Sequence, residues 1–568
     1  MSNYRIIKNG LVLTMDKDSS CGVFNVVVKD GKIIEVDQTG KLTDEYIGQN
    51  YEGAEIIDAT NKILMPGFID PNLNSSYIFS RTFFKRNAYD TLSSNVSLDL
   101  LDNYFKNPKN VEELYLLLLS SYSQSLLNGD TTAVEVSNYV SKEVYSELLE
   151  ETERVKQDVM YCACDATLHD YLTSKKKKHY VNLGREDNVN TYSLNALKKY
   201  LDNDHTMVYT DVLCSEKAVN EIKSSFGKSP VKIFNDYGIL GEDVFFVNPL
   251  YLTESDIELV LDNKASVIFN TSDYIKLGKN KMDVQNLIDS GVNVSFGTGY
   301  LGSDLLSELR SFASAFYFPK FKYSTLTEGI TSRASASIGL NAGSIEKNRQ
   351  ADILFFNTAG LRNIVRIPEL DSEKVSEFIV ENLTTKDIDM VMKNGDIVVS
   401  GGALLFEPIE DLESRSRELL EEVYRVGNYF EFKEKHMMKK RVDELRLDKD
   451  GKEKKSFDDV MVEDTEKSSA ADDSFRIIGV KKLDEYRTEK PLFEYQRKKN
   501  VFITEVTSFD KGMMIFTERQ PENGKTYEQH KGSEELVSDK KSTRTEKQSK
   551  NESGEIKKEK LRFGFSDE

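Results

Sequence analysis

The 568-residue sequence has few cysteines, no long apolar run and no excess of positive charge. Its four cysteines include no Cys-x-x-Cys pair, which argues against a disulfide scaffold and fits a reducing cytoplasm. The longest strongly apolar run, Leu114–Leu119, is far shorter than the roughly 20 residues that span a bilayer. The start, Met1–Arg5, leads into a strand-like pattern and does not resemble a signal peptide. We therefore expect a cytoplasmic protein without a membrane partner.

The charge also excludes a class of partner and divides the chain. A formal net charge of −19 argues against a nucleic-acid groove, which needs clustered Lys and Arg. Residues 411–568 contain 35 Lys and Arg and 37 Asp and Glu among 158 positions, so nearly half of this region is charged. Residues 1–410 have the composition of an ordinary acidic globular protein.

Strand-like segments occur at both ends of that globular part, residues 1–60 and 341–402. Asp30-Gly31 and Asn394-Gly395 are dipeptides suited to the positive φ angles of tight hairpins. The pattern predicts one small β-sandwich domain built from both segments. The predicted β-segments are Ile6–Met15, Phe24–Val36, Ala351–Phe356 and Met390–Val399.

Residues 61–340 alternate short apolar strands with amphipathic helices such as Val111–Leu127 and Glu254–Leu261. Alternation over this length, without a glycine-rich dinucleotide fingerprint, favours an α/β fold of the (β/α)8, TIM-like barrel type over a doubly wound sheet. The predicted strands are Ile63–Ile69, Thr132–Val136, Val159–Ala163, Met207–Val212, Val244–Val247, Ala265–Phe269 and Val292–Phe296.

The C-terminal region is predicted to be an extension of two kinds. Apolar residues at near-helical spacing predict a helical extension over residues 403–447. Residues 448–568 are predicted to be a charged, mostly disordered tail, either solubilising or carrying short apolar segments that bind a protein partner. The alternation in Val501–Val506 would suit addition to a sheet edge. The apolar segments are Phe475–Val480, Val501–Val506, Met513–Phe516 and Phe563–Phe565.

An ordered series of motifs over about residues 4–402 resembles a known family. The sequence Leu64-Met65-Pro66-Gly67-Phe68-Ile69-Asp70 is similar to the first barrel strand of the amidohydrolase superfamily, in the branch of cytosine/guanine deaminases and chlorohydrolases. This resemblance implies a barrel that uses Zn or Fe to hydrolyse non-peptide C–N bonds, and it implies oligomers. The other motifs are Gly129–Thr132, Gly238–Leu250, Asp289–Thr298, Ala351–Ile353 and Asn394-Gly395.

The resemblance also implies five metal-site positions, and none carries the expected residue. The paired histidines after strand one are replaced by Asn72 and Asn74. Asp211 stands for the histidine of strand five, and Asn248 for that of strand six. Gly299 stands for the aspartate after strand eight. Carboxamides are poor Zn²⁺ ligands and glycine has no side chain. We therefore expect no metal, no cofactor and no catalytic residue.

The remaining histidines and other polar residues do not restore the set. Cys214 stands where the family has a substrate-facing glutamate. One carboxylate, Asp211, with the amides of Asn72, Asn74 and Asn248 leaves a weak oxygen-ligand site for Mg²⁺ or Ca²⁺ near Cys214 as an alternative. Glu135 is a further candidate base, and the Cys162-x-Cys164 pair is interpreted as packing. The predicted pocket residues are Asn72, Asn74, Asp211, Cys214 and Asn248. The histidines are His169, His179 (predicted in a loop after Lys175–Lys178), His205, His436 and His530.

Three functions are compatible with this sequence. We favour a catalytically silent amidohydrolase-like protein acting as a scaffold, as a homo-oligomer or as the partner subunit of an active paralogue. The first alternative is a sensor that binds a purine- or pyrimidine-like molecule through the substituted pocket. The second alternative is a hydrolase with a rebuilt site.

Overall fold

The computed structural model describes most of the globular part and a few short stretches beyond it. The described residues are 4–75, 111–136, 156–163, 166–184, 189–201, 206–214, 216–277, 284–316, 322–359, 371–405, 412–419, 421, 476–477, 495–496, 502–508 and 513–519.

Strands and helices alternate through most of the described chain. The strands are β1 (Tyr4–Leu13), β2 (Cys21–Lys29), β3 (Lys32–Asp37), β4 (Glu55–Asp58), β5 (Lys62–Pro66), β6 (Phe68–Leu73), β7 (Asp130–Glu135), β8 (Asp158–Cys162), β9 (His179–Gly184), β10 (Thr206–Thr210), β11 (Val244–Val247), β12 (Ser266–Phe269), β13 (Asn293–Phe296), β14 (Ile353–Asn357), β15 (Ile388–Lys393), β16 (Asp396–Ser400), β17 (Ala403–Leu404), β18 (Arg476–Ile477), β19 (Tyr495–Gln496), β20 (Phe502–Ser508) and β21 (Met513–Arg519). The helices are α1 (Asp44–Asn50), α2 (Val111–Leu127), α3 (Ala166–Ser174), α4 (Thr191–Leu201), α5 (Glu216–Phe226), α6 (Pro230–Asp236), α7 (Glu254–Asp262), α8 (Thr271–Leu277), α9 (Val284–Asp289), α10 (Leu305–Ala315), α11 (Tyr323–Gly329), α12 (Ser332–Ser337) and α13 (Ser372–Asn382).

The two chain segments predicted to fold together do form a β-structure separate from the barrel. Its nine strands form one hydrogen-bonded sheet in the order β17-β16-β15-β14-β5-β1-β2-β3, with β4 beside β1. Antiparallel pairing of β5 with β14 joins the early segment to the late one. Both predicted hairpin turns are present, because Asp30 and Asn394 have φ angles of 47° and 49° and each is followed by a glycine with positive φ.

The predicted (β/α)8 barrel is confirmed. Eight parallel strands run in the order β6 to β13, and the Gly299 amide donates to the Asn72 carbonyl (2.8 Å) to bring the last strand against the first. Outside the strands, phenylalanines such as Phe269, Phe296 and Phe312 pack edge-to-face against one another. Inside, Tyr209 lies between Tyr180 and Phe245, with ring centroids 4.5 and 4.7 Å apart. The barrel centre is therefore filled, and binding chemistry belongs at its rim.

Two sequence predictions about strands were wrong. The predicted strand Ile63–Ile69 is divided at Gly67, so that β5 belongs to the composite sheet and β6 to the barrel. A Cβ at residue 67 would lie 2.2 Å from the Thr131 hydroxyl oxygen, so only glycine fits at this crossing. His179, predicted in a loop, begins β9 and is fully buried.

An ion group of the buried residues Lys393 and Asp352 and the half-exposed Asp158 joins the barrel to the composite sheet. The Lys393 ammonium, at the end of β15, is fully buried and donates to Asp158 of β8 (2.6 Å) and to Asp352 (2.7 Å). Asp352 also accepts from the Asn394 amide (2.7 Å). Burial alone would lower the pKa of Lys393, but the two carboxylates outweigh it and raise that pKa. We call Lys393, Asp158 and Asp352 the junction group.

The described parts of the C-terminal extension include both helix and strand. Residues 412–419 are helical, Ser416 is hydrogen-bonded to Ser120 of α2, and Leu419 is buried in the main core. In the tail, predicted to be mostly disordered, β20 and β21 pair as an antiparallel hairpin from Phe502↔Arg519 to Ser508↔Met513. Two of the predicted apolar segments therefore pair with each other. Apart from residues 403–405 and 421 and the short strands β18 and β19, the rest of residues 403–447 and 448–568 lies outside the described residues. None of the described helices is both long and apolar enough to cross a membrane.

Candidate functional site

Polar residues follow the carboxyl ends of four barrel strands. Asn74 follows β6, Asn248 follows β11, Asn270 follows β12, and Gly297-Thr298-Gly299 follows β13. Because parallel strands end at the same rim, these residues share one face of the barrel. We call this group, together with Asn72 and Asp273, the barrel mouth.

Hydrogen bonds and close contacts bring the asparagines together. The Asn248 side-chain oxygen accepts from the Asn270 backbone amide (2.8 Å), and Asn248 has a positive φ of 43°. A Cβ built on Gly297 would lie 2.8 Å from Asn72 Cβ and 2.9 Å from Asn270 Oδ1, so these two side chains flank the same point. Asn72, Asn74, Asn248 and Asn270 are all buried. The mouth is therefore a compact carboxamide group.

Asp70 ties the first barrel strand to the last. Its carboxylate accepts from the Asn72 amide (2.9 Å), the Thr298 amide (3.2 Å) and the Thr298 hydroxyl (2.5 Å). Burial raises the pKa of Asp70 to about 6, although these hydrogen bonds act in the opposite direction. Asp70 therefore positions the Thr298 segment of the mouth and changes charge near neutral pH.

A second buried acid contacts the segment that contains Asn270 and Asp273. Glu308 of α10 accepts from the Ser272 amide (2.8 Å) and from the Ser272 hydroxyl. Burial raises the pKa of Glu308 to about 8, and the negative charges of Asp273 and Asp70 act in the same direction. At pH 7 Glu308 is therefore mainly a neutral carboxylic acid that holds the start of α8.

Several buried polar atoms at or below the mouth have no hydrogen-bond partner within the described part of the chain. A buried donor or acceptor without a partner costs about 1–3 kcal/mol, and such atoms mark places that water or a bound molecule can complete. Burial also raises the pKa of Tyr209, with the charge of Asp70 as the second cause. The atoms are Asn248 Nδ2, Asn270 Oδ1, Thr271 Oγ1 and Tyr209 Oη.

The other predicted pocket residues lie elsewhere on the same rim. Asp211 and Cys214 form a turn after β10, in which the Cys214 amide donates to the Asp211 carbonyl (2.9 Å). The Cys214 side chain belongs to the hydrophobic cluster outside the strands. Glu135, at the end of β7, is buried and accepts from the Ser75 amide (3.3 Å). Cys162 is buried in the barrel interior, and Cys164 lies outside the described residues. Pocket roles for Asp211 and Cys214, and the role of Glu135 as a base, stay predictions.

Two histidines meet at the opposite end of the barrel. His169 and His179 both approach the Thr206 hydroxyl with Nε2, at 3.2 and 3.4 Å, and their ring centroids are 4.8 Å apart. His179 and Thr206 are the first residues of β9 and β10, so this pair lies away from the mouth. His205, His436 and His530 lie outside the described residues.

The residues of the mouth do not fit a zinc or iron ion. Their donors are mainly carboxamides, whereas Zn²⁺ is bound by imidazole, thiolate or carboxylate. Within the described ranges, no three or more His, Cys, Asp or Glu side chains are arranged to hold a metal. The mouth can instead donate and accept hydrogen bonds to a neutral polar molecule.

Several residues of this site, including Asp70 and Thr298, were not among the predicted site residues. Asn270, Asp273 and Glu308 contribute as much to the mouth as the predicted asparagines. Asn270 directly follows the predicted strand Ala265–Phe269, so a polar residue at that strand end was the available sign. Nothing local distinguishes Glu308 from an exposed helix residue.

Comparisons with known proteins agree with this architecture. The profile of the Amidohydrolase family matches residues 63–398, more than half of the chain. The chain is 23% identical over 422 residues to the 5-methylthioadenosine/S-adenosylhomocysteine deaminase of Caldicellulosiruptor saccharolyticus, covering 70% of this chain and 94% of the relative. It is 24% identical over 459 residues to the 5'-deoxyadenosine deaminase of Methanobrevibacter smithii, covering 74% and 98%.

Solved structures share the fold at lower identity. An adenosine deaminase from Xanthomonas campestris with bound zinc superposes with a TM-score of 0.61 at 17% identity, covering 74% of this chain and 98% of that chain. A triazine hydrolase from Arthrobacter aurescens gives a TM-score of 0.64 at 15% identity, covering 74% and 99%.

Proposed function

Because the chain belongs to the amidohydrolase family, we propose that it is a member in which metal-dependent C–N hydrolysis has been lost and which acts by binding. One observation carries this proposal: the residues at the mouth form a hydrogen-bonded carboxamide group in place of a metal-ligand set. The Asn248 side chain accepts a hydrogen bond from the Asn270 backbone amide. The Asn72 and Asn270 side chains flank the same point beside Gly297.

The chemistry of these side chains supports the proposal. A metal-bound water needs a cation held by good ligands and a base to take its proton. Asparagine carboxamides are neutral, weak ligands for a transition metal, and they have no proton-accepting group near neutral pH. Gly299 has no side chain that could accept a proton. The same side chains are well suited to hydrogen bonding.

Retention of the complete fold supports a scaffold or partner-subunit role. The chain covers almost the full length of its deaminase relatives and adds a long C-terminal region that includes the β20–β21 hairpin. A silent subunit keeps the surfaces of its fold while its chemistry is lost. We propose a homo-oligomer, or a hetero-oligomer with an active paralogue, in which the C-terminal region is available to a further protein partner.

A sensor function is the second candidate, because the mouth has buried polar atoms without described partners. Asn248 Nδ2 is a donor, and Asn270 Oδ1 is an acceptor. A purine- or pyrimidine-like ring offers both complementary groups on one edge. Such a ligand would complete the hydrogen bonds that the protein leaves open.

Metal analysis and deaminase assays on the full-length protein test the proposal. Protein purified without chelator is expected to contain far less than one transition-metal ion per chain and to release no ammonia from adenosine, 5'-deoxyadenosine or 5-methylthioadenosine, even with added Zn²⁺. The Methanobrevibacter smithii relative, assayed in parallel, is the positive control. Stoichiometric metal together with deamination would overturn the proposal. Stabilisation by a nucleoside, about 2.7 kcal/mol at 100 times its Kd, would favour the sensor function over the scaffold.

A further inference from the structure

Position 299 is closed to any side chain. Gly299 has a φ of +60°, and a Cβ built on it would lie 2.3 Å from Asp273 Oδ2 and 2.7 Å from Asn270 Nδ2. Contacts under about 3 Å are shorter than van der Waals packing of carbon allows. The carboxylate of Asp273 therefore occupies the space into which residue 299 would extend a side chain.

The two occupying residues are held in place by their own hydrogen bonds. Asp273 Oδ2 accepts from the Tyr300 amide (3.1 Å) and is 3.5 Å from Asn270 Nδ2. The Asn270 amide donates to Asn248 (2.8 Å). Between them, Ser272 is bonded through its amide and hydroxyl to the buried Glu308. Residues 270–273 are thus fixed on several sides and cannot move away without losing buried hydrogen bonds.

We propose that Asn270 and Asp273, supplied by the segment after β12, fill the volume that a side chain at position 299 would need. Asp273 also provides a hydrogen-bond acceptor for the backbone after β13. This inference rests on the proposed function, because it identifies what now holds the mouth in its metal-free arrangement. Asn270 and Asp273 are positioning residues for the Thr298–Tyr300 segment.

One consequence is that restoring ligands is not sufficient to restore a metal site. Gly299→Asp would force a new side chain into the space of Asp273 Oδ2 and Asn270 Nδ2. The change from a metal site to a carboxamide group therefore involves residues on two strand ends. Restoring a metal site would therefore need substitutions at the ends of both strands, β12 and β13.

Paired glycine substitutions test this inference by thermal unfolding. Gly401 is the matched control, because its φ of +59° equals that of Gly299 within a degree while no atom lies within 4 Å of its built Cβ. Gly401→Ala measures the cost of the backbone angle alone and is expected to lower Tm by roughly 1–2 °C. Gly299→Ala is expected to lower Tm by at least twice that amount.

The decisive measurement repeats Gly299→Ala in variants that lack a blocking side chain and asks whether its effect on Tm becomes smaller. In Asp273→Ala and in Asn270→Ala, the additional effect of Gly299→Ala is expected to become smaller, because each variant removes one of the two blocking side chains. In the double variant, which removes both, it should fall towards the Gly401→Ala value. The effect of Gly401→Ala should be the same in all backgrounds, since that site is distant in sequence and open to solvent. Rescue would support the inference.

Two outcomes would overturn the inference. One is a Gly299→Ala shift no larger than that of Gly401→Ala. The other is a large Gly299→Ala shift that neither Asp273→Ala nor Asn270→Ala reduces. These results do not depend on metal content or activity. Failure of the proposed function would appear separately, as stoichiometric metal and deamination by the unmodified protein.

Discussion

The junction group and the barrel mouth are two polar regions that differ in how completely their buried polar atoms are paired. At the junction, the Lys393 ammonium has two carboxylate partners, and Asp352 has a backbone partner as well. At the mouth, Asn248 Nδ2 and Asn270 Oδ1 have no partner among the described residues. The polar groups that connect the barrel to the sheet are therefore paired within the protein. The mouth keeps polar atoms that water or a bound molecule can complete.

The same contrast applies to charge. Opposite charges compensate each other at the junction. The buried acids Asp70 and Glu308 have raised pKa values, and among their described interactions there is no Lys or Arg. Their environment therefore favours the protonated forms. Acidic groups without cations are where solution conditions should affect this protein most.

The largest expected loss of stability comes from a substitution in the junction group. Lys393→Met would leave two carboxylates facing an apolar side chain, and we expect the free energy of unfolding to fall by about 3–5 kcal/mol. Urea denaturation measures this. Lys156→Ala is the control, because its ion pair with Asp396 is about half exposed and should contribute less than about 1 kcal/mol. Equal losses in the two variants would show that the junction is not a buried ion group.

The second effect is a dependence of stability on pH that originates at the mouth. The pKa of Glu308 is about 8 in the folded protein against an ordinary value of 4.5, so the folded state binds more protons between these pH values. Stability should therefore fall as pH rises from about 4.5 to 8, with a slope of at most about 1.4 kcal/mol per pH unit. Asp70, with a folded pKa of about 6, acts in the same direction below pH 6.

Glu308→Gln isolates this contribution, since glutamine resembles the protonated acid and can keep both contacts with Ser272. Urea denaturation at pH 6, 7 and 8 should show a shallower fall with pH than in the unmodified protein. An unchanged slope between pH 6 and 8 would contradict the assignment to Glu308.

The smallest expected effect comes from two neighbouring tyrosines in the barrel. The Tyr180 hydroxyl donates to the Glu135 carbonyl, whereas the Tyr209 hydroxyl has no partner among the described residues. Tyr180→Phe should therefore cost about 1 kcal/mol, and Tyr209→Phe should be neutral or stabilising. Calorimetry on both variants provides the comparison. A larger loss for Tyr209→Phe would mean that its hydroxyl has a partner at the mouth.

Most of the fold could be predicted because buried parallel strands are short apolar runs. Val244–Val247 was predicted at its observed bounds, and Val111–Leu127 was predicted as the observed helix. β9 was missed because it begins with His179 after four lysines and contains Asn182, so its apolar pattern is interrupted. The division of the first strand at Gly67 depends on the distant contact with Thr131, which local sequence does not specify.

The mouth could be predicted only in part. The asparagines at 72, 74 and 248 were found because they stand at motif positions. Asp273 and Glu308 act through contacts with Gly299 and Ser272, and such contacts exist only once the barrel has formed. The pairing of His169 with His179 likewise requires two strands and a helix to meet at Thr206.

The pairing of β5 with β14 has a consequence for synthesis on the ribosome. Lys62–Pro66 must wait for Ile353–Asn357, which follows about 290 residues later and, at 5–20 residues per second, about 15–60 s later. During that interval one edge of β5 has no sheet partner, and an unpaired edge can bind the wrong strand. The barrel lies wholly within the intervening chain, so it can form before the sheet closes around its two ends. Completion of the composite sheet is therefore a late step in the folding of this chain.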